Sequence, residues 1–184
     1  MQIHFIKQFP WGEPSHFVEK IWAGFALNDF LWNNREVCLA TEHYKEHWPY
    51  GDDSDGTSSW WRPFMKSKPK THTIREDLKD RWIPEKIIHF EQWIGKPYNS
   101  KCYHFAPLIP CVSVQKFEIR YLNSNSDYPH VWIDKKLFRY FINEDLKVLE
   151  TLAQNDGFDS IEDFFRWFNK DFTGKIIHWT DCLY

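Results

Sequence analysis

The sequence predicts an α+β fold: a mixed or antiparallel β-barrel with helices packed on it and an insertion after the first helix. Three observations carry this expectation. The 184 residues are 42% hydrophobic and 27% charged, enough to bury one core and unlike a disordered or membrane chain. Short segments that read as strands recur along the chain. Their order is strand, helix, several strands, two helices and strand, without the regular alternation of a doubly wound parallel sheet. Residues 1–184 are read as a single domain, with 25–69 inserted within it.

Gln2–Ile6 alternates polar and apolar residues and predicts a strand. Pro10–Pro14 is a turn, and Ser15 caps a helix that places Phe17, Ile21 and Trp22 on one face and stops at Gly24. Within the insertion, Arg35–His47 is a helical candidate, followed by the acidic, turn-rich WPYGDDSDGTSS and by Trp60–Phe64. From Lys70 the chain becomes strand-rich. Ile87–Trp93, Cys111–Tyr121 and His130–Ile133 are strands, the second needing a bulge or slip for Val112, Val114 and Phe117 to share a face. Asp134–Lys136 is a hairpin turn. Glu144–Asn155 and Ser160–Asn169 are helices, with Gly157 just past the first and a capping box opening the second. Lys175–Trp179 is the last strand.

Charge and composition exclude some functions. A formal net charge of −3 argues against broad, non-specific nucleic-acid binding, which needs many phosphate contacts. No apolar run could span a bilayer, and the N-terminus lacks the pattern of a signal peptide, so a cytoplasmic protein is expected. Cys38, Cys102, Cys111 and Cys182 form no CxxC pair and are expected to be reduced thiols. Aromatic residues make up 19% of the chain, with 11 tryptophans. Most should be core, but a minority could form a stacking wall for a planar base.

Few segments carry a chemical signal. His43 and His47 would share a helix face, yet a solvated face explains them better than a metal site. A calcium loop centred on Gly56 would need acids at Gly51 and Arg62. There is no phosphate-binding glycine loop, GxSxG or Cys/His nucleophile pattern, and neither a metal nor a cofactor is expected. KTHTIRED, Lys70–Asp77, is denser: it joins an amine, hydroxyls, an imidazole, a guanidinium and carboxylates. Arg62–Lys86 holds eight basic residues against four acidic, whereas Phe141–Asp171 holds three against eight. The basic part suits an anionic or polar ligand. On composition alone, an exposed edge strand with solvated charges explains KTHTIRED better.

KTHTIR, preceded by FVEKIWAG and followed far along the chain by AQNDGFDSIEDFFRWF, resembles the ASCH family, a branch of the PUA-like superfamily. The three pieces occur in the family's order. In short members the helix-ending Gly lies almost directly before the signature Lys; here 25–69 intervenes. The resemblance implies a PUA-like barrel that binds RNA, a nucleotide or a modified nucleoside, with Thr71, His72, Arg75 and Trp82 as ligand-binding candidates. It also implies an alternative, since some small ASCH proteins are amidohydrolases that deacetylate N4-acetylcytidine. Their working Lys, Thr and acid map onto Lys70, Thr73 and Asp156, the family acid being a Glu. Thr73 would be the nucleophile and Lys70 its base, while Asp156, at a helix C-terminus, would hold the proton for the leaving amine. On a flat strand residues 70 and 73 would face opposite ways, so the catalytic reading requires a bend. A third reading has 25–69 contacting a protein partner. Of the three, the binding module is favoured, because Asp156 stands where the family has Glu and 25–69 intervenes; the enzyme and the interaction module are the alternatives.

Overall fold

The structure is a computed structural model that describes residues 1–27, 67–121 and 129–184. In chain order its elements are β1 (Gln2–Phe5), α1 (Phe17–Leu27), β2 (His72–Arg75), β3 (Ile87–Trp93), β4 (Cys102–His104), β5 (Ile109–Pro110), β6 (Ser113–Arg120), β7 (His130–Ile133), β8 (Lys136–Arg139), α2 (Asn143–Asn155), α3 (Ile161–Trp167) and β9 (Phe172–His178). The fold is α+β. Two compact units are present: Met1–Lys70 with Ile87–Ile109, and Thr71–Lys86 with Pro110–Tyr184. No helix among the described residues is long and apolar enough to cross a membrane. The predicted Arg35–His47 helix, the His43/His47 pair, the acidic loop, Trp60–Phe64 and the protein-contact reading of the insertion fall on residues outside those described.

In the first unit, β1 pairs in parallel with β3 (Ile3 opposite Phe90), and β4 runs antiparallel to β3. Period-two alternation turns Ile3, Phe5, Ile88 and Phe90 inward, all buried. Phe5 stacks with Phe90 and meets Phe17 and Phe105 edge-on. Ser15 Oγ accepts from the Phe17 amide at 3.5 Å at the start of α1, whose Ile21 and Trp22 are fully buried. The Trp22 indole N–H donates to the Phe105 carbonyl at 3.2 Å, satisfying its one polar atom.

The helix does not stop at Gly24 but runs on to Leu27. The glycine serves a close approach instead of a helix end. A Cβ there would stand 2.6 Å from the Lys70 carbonyl oxygen. The Lys70 amide in turn donates to the Lys20 carbonyl at 2.8 Å. FVEKIWAG and the signature lysine are thus packed backbone to backbone, although they lie far apart in sequence.

In the second unit, five antiparallel strands run in the order β2-β9-β6-β7-β8. Gln115, Phe117 and Ile119 of β6 face inward with Val131, Ile133, Phe138 and Ile176, all buried. Leu149, Leu152 and Ala153 of α2 and Phe164 and Phe165 of α3 are buried too. Phe117 meets Phe164 and Phe168 at 6.3 and 5.8 Å. Val112, Val114 and Phe117 do not share a face, because β6 keeps an unbroken register with β9 from Ser113 to Ile119. Val112 lies outside the strand and is 40% exposed, so the inward residues are the odd-numbered ones from 115 onward.

The hairpin at Asp134 is present, with Asp134 at φ 53° and its carboxylate accepting from the Lys116 amide at 2.9 Å. Gly157 follows α2 at φ 90°, and Ser160 Oγ accepts from the Asp163 amide at 3.1 Å to cap α3. Strand β9 begins three residues before the predicted Lys175. The closed barrel is not formed among the described residues. The path of the second sheet ends at β2 and β8, whereas closure would pair its edges.

Candidate functional site

Strand β2 carries the signature at the edge of the second sheet. An edge strand of mixed polar residues ordinarily offers its side chains to water. Here His72 is 0% and Thr73 3% exposed. The solvated-strand reading of this segment is therefore corrected. Register explains the sorting of side chains. His72 and Ile74 lie opposite His178 and Ile176 on the face that carries the core; Thr73 and Arg75 lie opposite Ile177 and Lys175 on the other.

His72 belongs to a buried polar network. The His72 and His178 rings lie 5.2 Å apart. His72 Nε2 is 2.8 Å from the Tyr184 hydroxyl, which also accepts from Asn155 Nδ2 at 2.8 Å. His72 Nδ1 faces Asp156 Oδ1 at 3.8 Å. The same carboxylate oxygen accepts from the Ile74 amide at 3.2 Å. Asp156 is only 4% exposed and occupies the C-cap of α2. A negative charge there opposes the helix dipole, and the β2 amide offsets that cost.

His178 is held by Gln115. The Gln115 Oε1 accepts from the Tyr184 amide at 3.2 Å, which fixes the orientation of the side-chain amide. His178 Nε2, 3.1 Å from that oxygen, is therefore the protonated nitrogen. Burial holds His178 well below its ordinary value, at about 4, with Asp134 opposing the shift weakly. Burial also pushes the Tyr184 phenol far up, so it remains a neutral donor.

The other signature residues occupy distinct settings. Lys70 closes the first unit, 1% exposed, with its ammonium 4.9 Å from the Phe17 ring centroid and 5.9 Å from that of Phe5. It precedes β2, so strand alternation places no constraint on its side chain. The Thr71 amide donates to the Asn155 carbonyl at 2.9 Å, tying the signature to the end of α2. The Thr71 hydroxyl is buried and has no hydrogen-bond partner among the described residues. Trp82 is 4% exposed; its amide donates to Asp77 at 2.8 Å and its carbonyl accepts from Lys175 at 2.8 Å.

Arg75, Lys175 and Lys116 form one row across β2, β9 and β6. Beside it lies a cavity of about 300 Å³, lined by Lys116, Lys175, Trp132, Asp77, Asp80, Glu118 and Asp134 among others. Carboxylates outnumber ammonium groups there. The Lys175 ammonium already pairs with Asp77 at 3.4 Å and with Asp80. The amides of Arg81 and Trp82 hold the Asp77 carboxyl below its ordinary value against the opposing effect of burial. The cavity suits a neutral or cationic polar group better than a phosphate.

His178, Gln115, Asn155 and Tyr184 were not singled out from the sequence. The signal for His178 was present: a histidine completing the buried run Ile176–Ile177 in a predicted strand needs a polar partner. Asn155 and Tyr184 have no comparable sequence signal. Their roles follow from the end of α2 and the chain after β9 meeting at β2. Asp156→Ala is expected to lower stability by about 1–3 kcal/mol, since it leaves the Ile74 amide buried without its acceptor. Asp156→Asn, which keeps an oxygen for that amide, should recover most of the loss in urea unfolding. No family model, curated protein or solved structure matches this chain.

Proposed function

We propose that the chain is a PUA-like, ASCH-type binding module that holds a base, a nucleotide or a modified nucleoside, free or in RNA, at Thr71–Arg75. The observation that carries this reading is the withdrawal of consecutive polar side chains from water at a sheet edge. His72 and Thr73 are buried, and the Thr71 hydroxyl is buried without a protein partner among the described residues. Buried polar groups are ordinarily satisfied, and ligand recognition uses a few such groups fixed by a rigid scaffold. The network through Asp156, Tyr184 and Gln115 supplies the scaffold. In this reading Thr71 hydrogen-bonds the ligand, Arg75 offers a planar cation to a carbonyl or phosphate, and buried Trp82 reports binding by its fluorescence.

Titration with nucleosides, nucleotides and short RNAs tests this. Wild type should show saturable tryptophan quenching with at least one of them. Thr71→Val should weaken that binding about tenfold, the scale of one hydrogen bond, and Arg75→Ala should weaken phosphate-bearing ligands more than nucleosides. Absence of binding by wild type across the panel would sink the reading.

The amidohydrolase is the second reading. It is favoured by the withdrawal of both Lys70 and Thr73 from water, the setting an amine base and a hydroxyl nucleophile require. Incubation with N4-acetylcytidine should then yield cytidine, with Lys70→Ala and Thr73→Val inactive. Equal inactivity of wild type and Lys70→Ala would leave the binding module alone.

A further inference from the structure

The core side of the first sheet is aromatic, but its outer side collects ligand-type residues. Period-two alternation sends Gln2 and His4 of β1, His89, Glu91 and Trp93 of β3, and Cys102 and His104 of β4 to one face. Register sets His4 directly opposite Glu91, and Trp93 opposite Cys102. His4, Glu91 and Cys102 each bring one donor atom to within 4.8 Å of the other two, and all three residues are half-buried.

We propose that His4, Glu91 and Cys102 form a binding site for a divalent transition metal of the zinc class. Nitrogen, carboxylate oxygen and thiolate sulfur are the three donor types that zinc takes, at about 2.0–2.3 Å each. Tetrahedral donors at those distances stand roughly 3.5 Å apart. His4 Nε2 and Glu91 Oε2 already meet that spacing at 3.4 Å. The Cys102 thiol, within 4.8 Å of both, has to draw in by about 1 Å for the three to share one ion.

Two neighbours hold the ligands in place. Gln2 Nε2 donates to Glu91 Oε1 at 2.8 Å, leaving Oε2 turned to His4. The Trp93 ring stacks on the His4 imidazole with centroids 4.9 Å apart and planes 22° from parallel. Such outer contacts orient ligands in metal sites. Three protein donors leave a fourth position for water or a ligand, as in zinc sites that do chemistry. Binding displaces the thiol proton to solvent and leaves the metal charge balanced by one thiolate and one carboxylate. An ordinary salt bridge between His4 and Glu91 would explain those two residues, but not the converging thiol.

The test uses Zn²⁺ and Co²⁺ with the full chain. Wild type should bind one metal ion at this face, show thiolate-to-cobalt charge-transfer absorption, and gain thermal stability in excess Zn²⁺. Cys102→Ser should abolish the charge-transfer band, and Cys111→Ser and Cys182→Ser should keep it. Cys102→Ser and His4→Ala should each weaken Zn²⁺ binding about 100-fold or more, and Gln2→Ala about tenfold, as for an outer partner. A band that survives in Cys102→Ser, or Zn²⁺ affinity unchanged in both ligand variants, would overturn the assignment, as would no binding by wild type. A normal apo melting curve for Cys102→Ser separates lost ligation from lost folding.

Discussion

Acidification from pH 7 to pH 4 is expected to cost the folded protein about 3 kcal/mol through His178 alone. The folded ring is held at about 4, and the unfolded chain restores it to its ordinary 6.5. Above pH 6.5 the ring is neutral in both states and contributes nothing to the pH dependence. Between 6.5 and 4 the unfolded state takes up a proton that the folded state refuses, so stability falls with pH across that window and levels off below it. The physical cause is plain in the structure. His178 is fully buried, its Nε2 proton is spent on Gln115, and its Nδ1 has no hydrogen-bond partner among the described residues to receive a second. Urea unfolding at pH 7, 5.5 and 4.5 checks this. His178→Gln should lose stability at pH 7 but show a shallower acid decline than wild type. Parallel pH profiles for the two proteins would show that His178 does not carry the effect.

Gly174→Ala is expected to be comparably damaging, at about 3 kcal/mol, the upper range for overpacking. A Cβ at Gly174 would stand 2.7 Å from Phe172 Cε1 and 2.9 Å from the Arg75 backbone carbon, and would run into the Arg75 carbonyl oxygen. The last two are backbone atoms of β2 and cannot rotate away. The strand would have to part from β9 at the row that sets Arg75 opposite Lys175. Ligand binding at Thr71–Arg75 should therefore fall with stability. Glu118→Ala, a partly exposed side chain on the neighbouring strand, should change neither. A Gly174→Ala protein with wild-type melting temperature would show that β2 tolerates the displacement.

The sequence made some elements legible and left others unreadable. Alternation announced β1, the apolar and aromatic content of Ile87–Trp93 and His130–Ile133 announced β3 and β7, and turn chemistry announced Asp134 and Gly157. Strand β8 was missed because its KLFR alternation is too short to stand out, and β4 because CYH has no inward apolar residue to mark it. Gly24 read as a helix stop because a glycine needed for close approach looks the same in sequence as one needed for a left-handed turn. In the site, KTHTIR was legible as a dense polar segment, and Asp156 was reached through the family resemblance. That Asp156 meets Ile74 and His72 could not be read, since it depends on the end of α2 returning to an edge strand some eighty residues earlier. His4, Glu91 and Cys102 were invisible as a group for the same reason: only strand register brings them together.

Residue-resolved amide spectra during titration with cytidine, N4-acetylcytidine and cytidine monophosphate test the binding claim most directly. The predicted result is a set of saturable shifts centred on Thr71–Arg75, extending to His178 and Asn155 through the buried network and weakened in Thr71→Val. Shifts confined to the residues around the Trp132 cavity, or none at millimolar ligand, would contradict it.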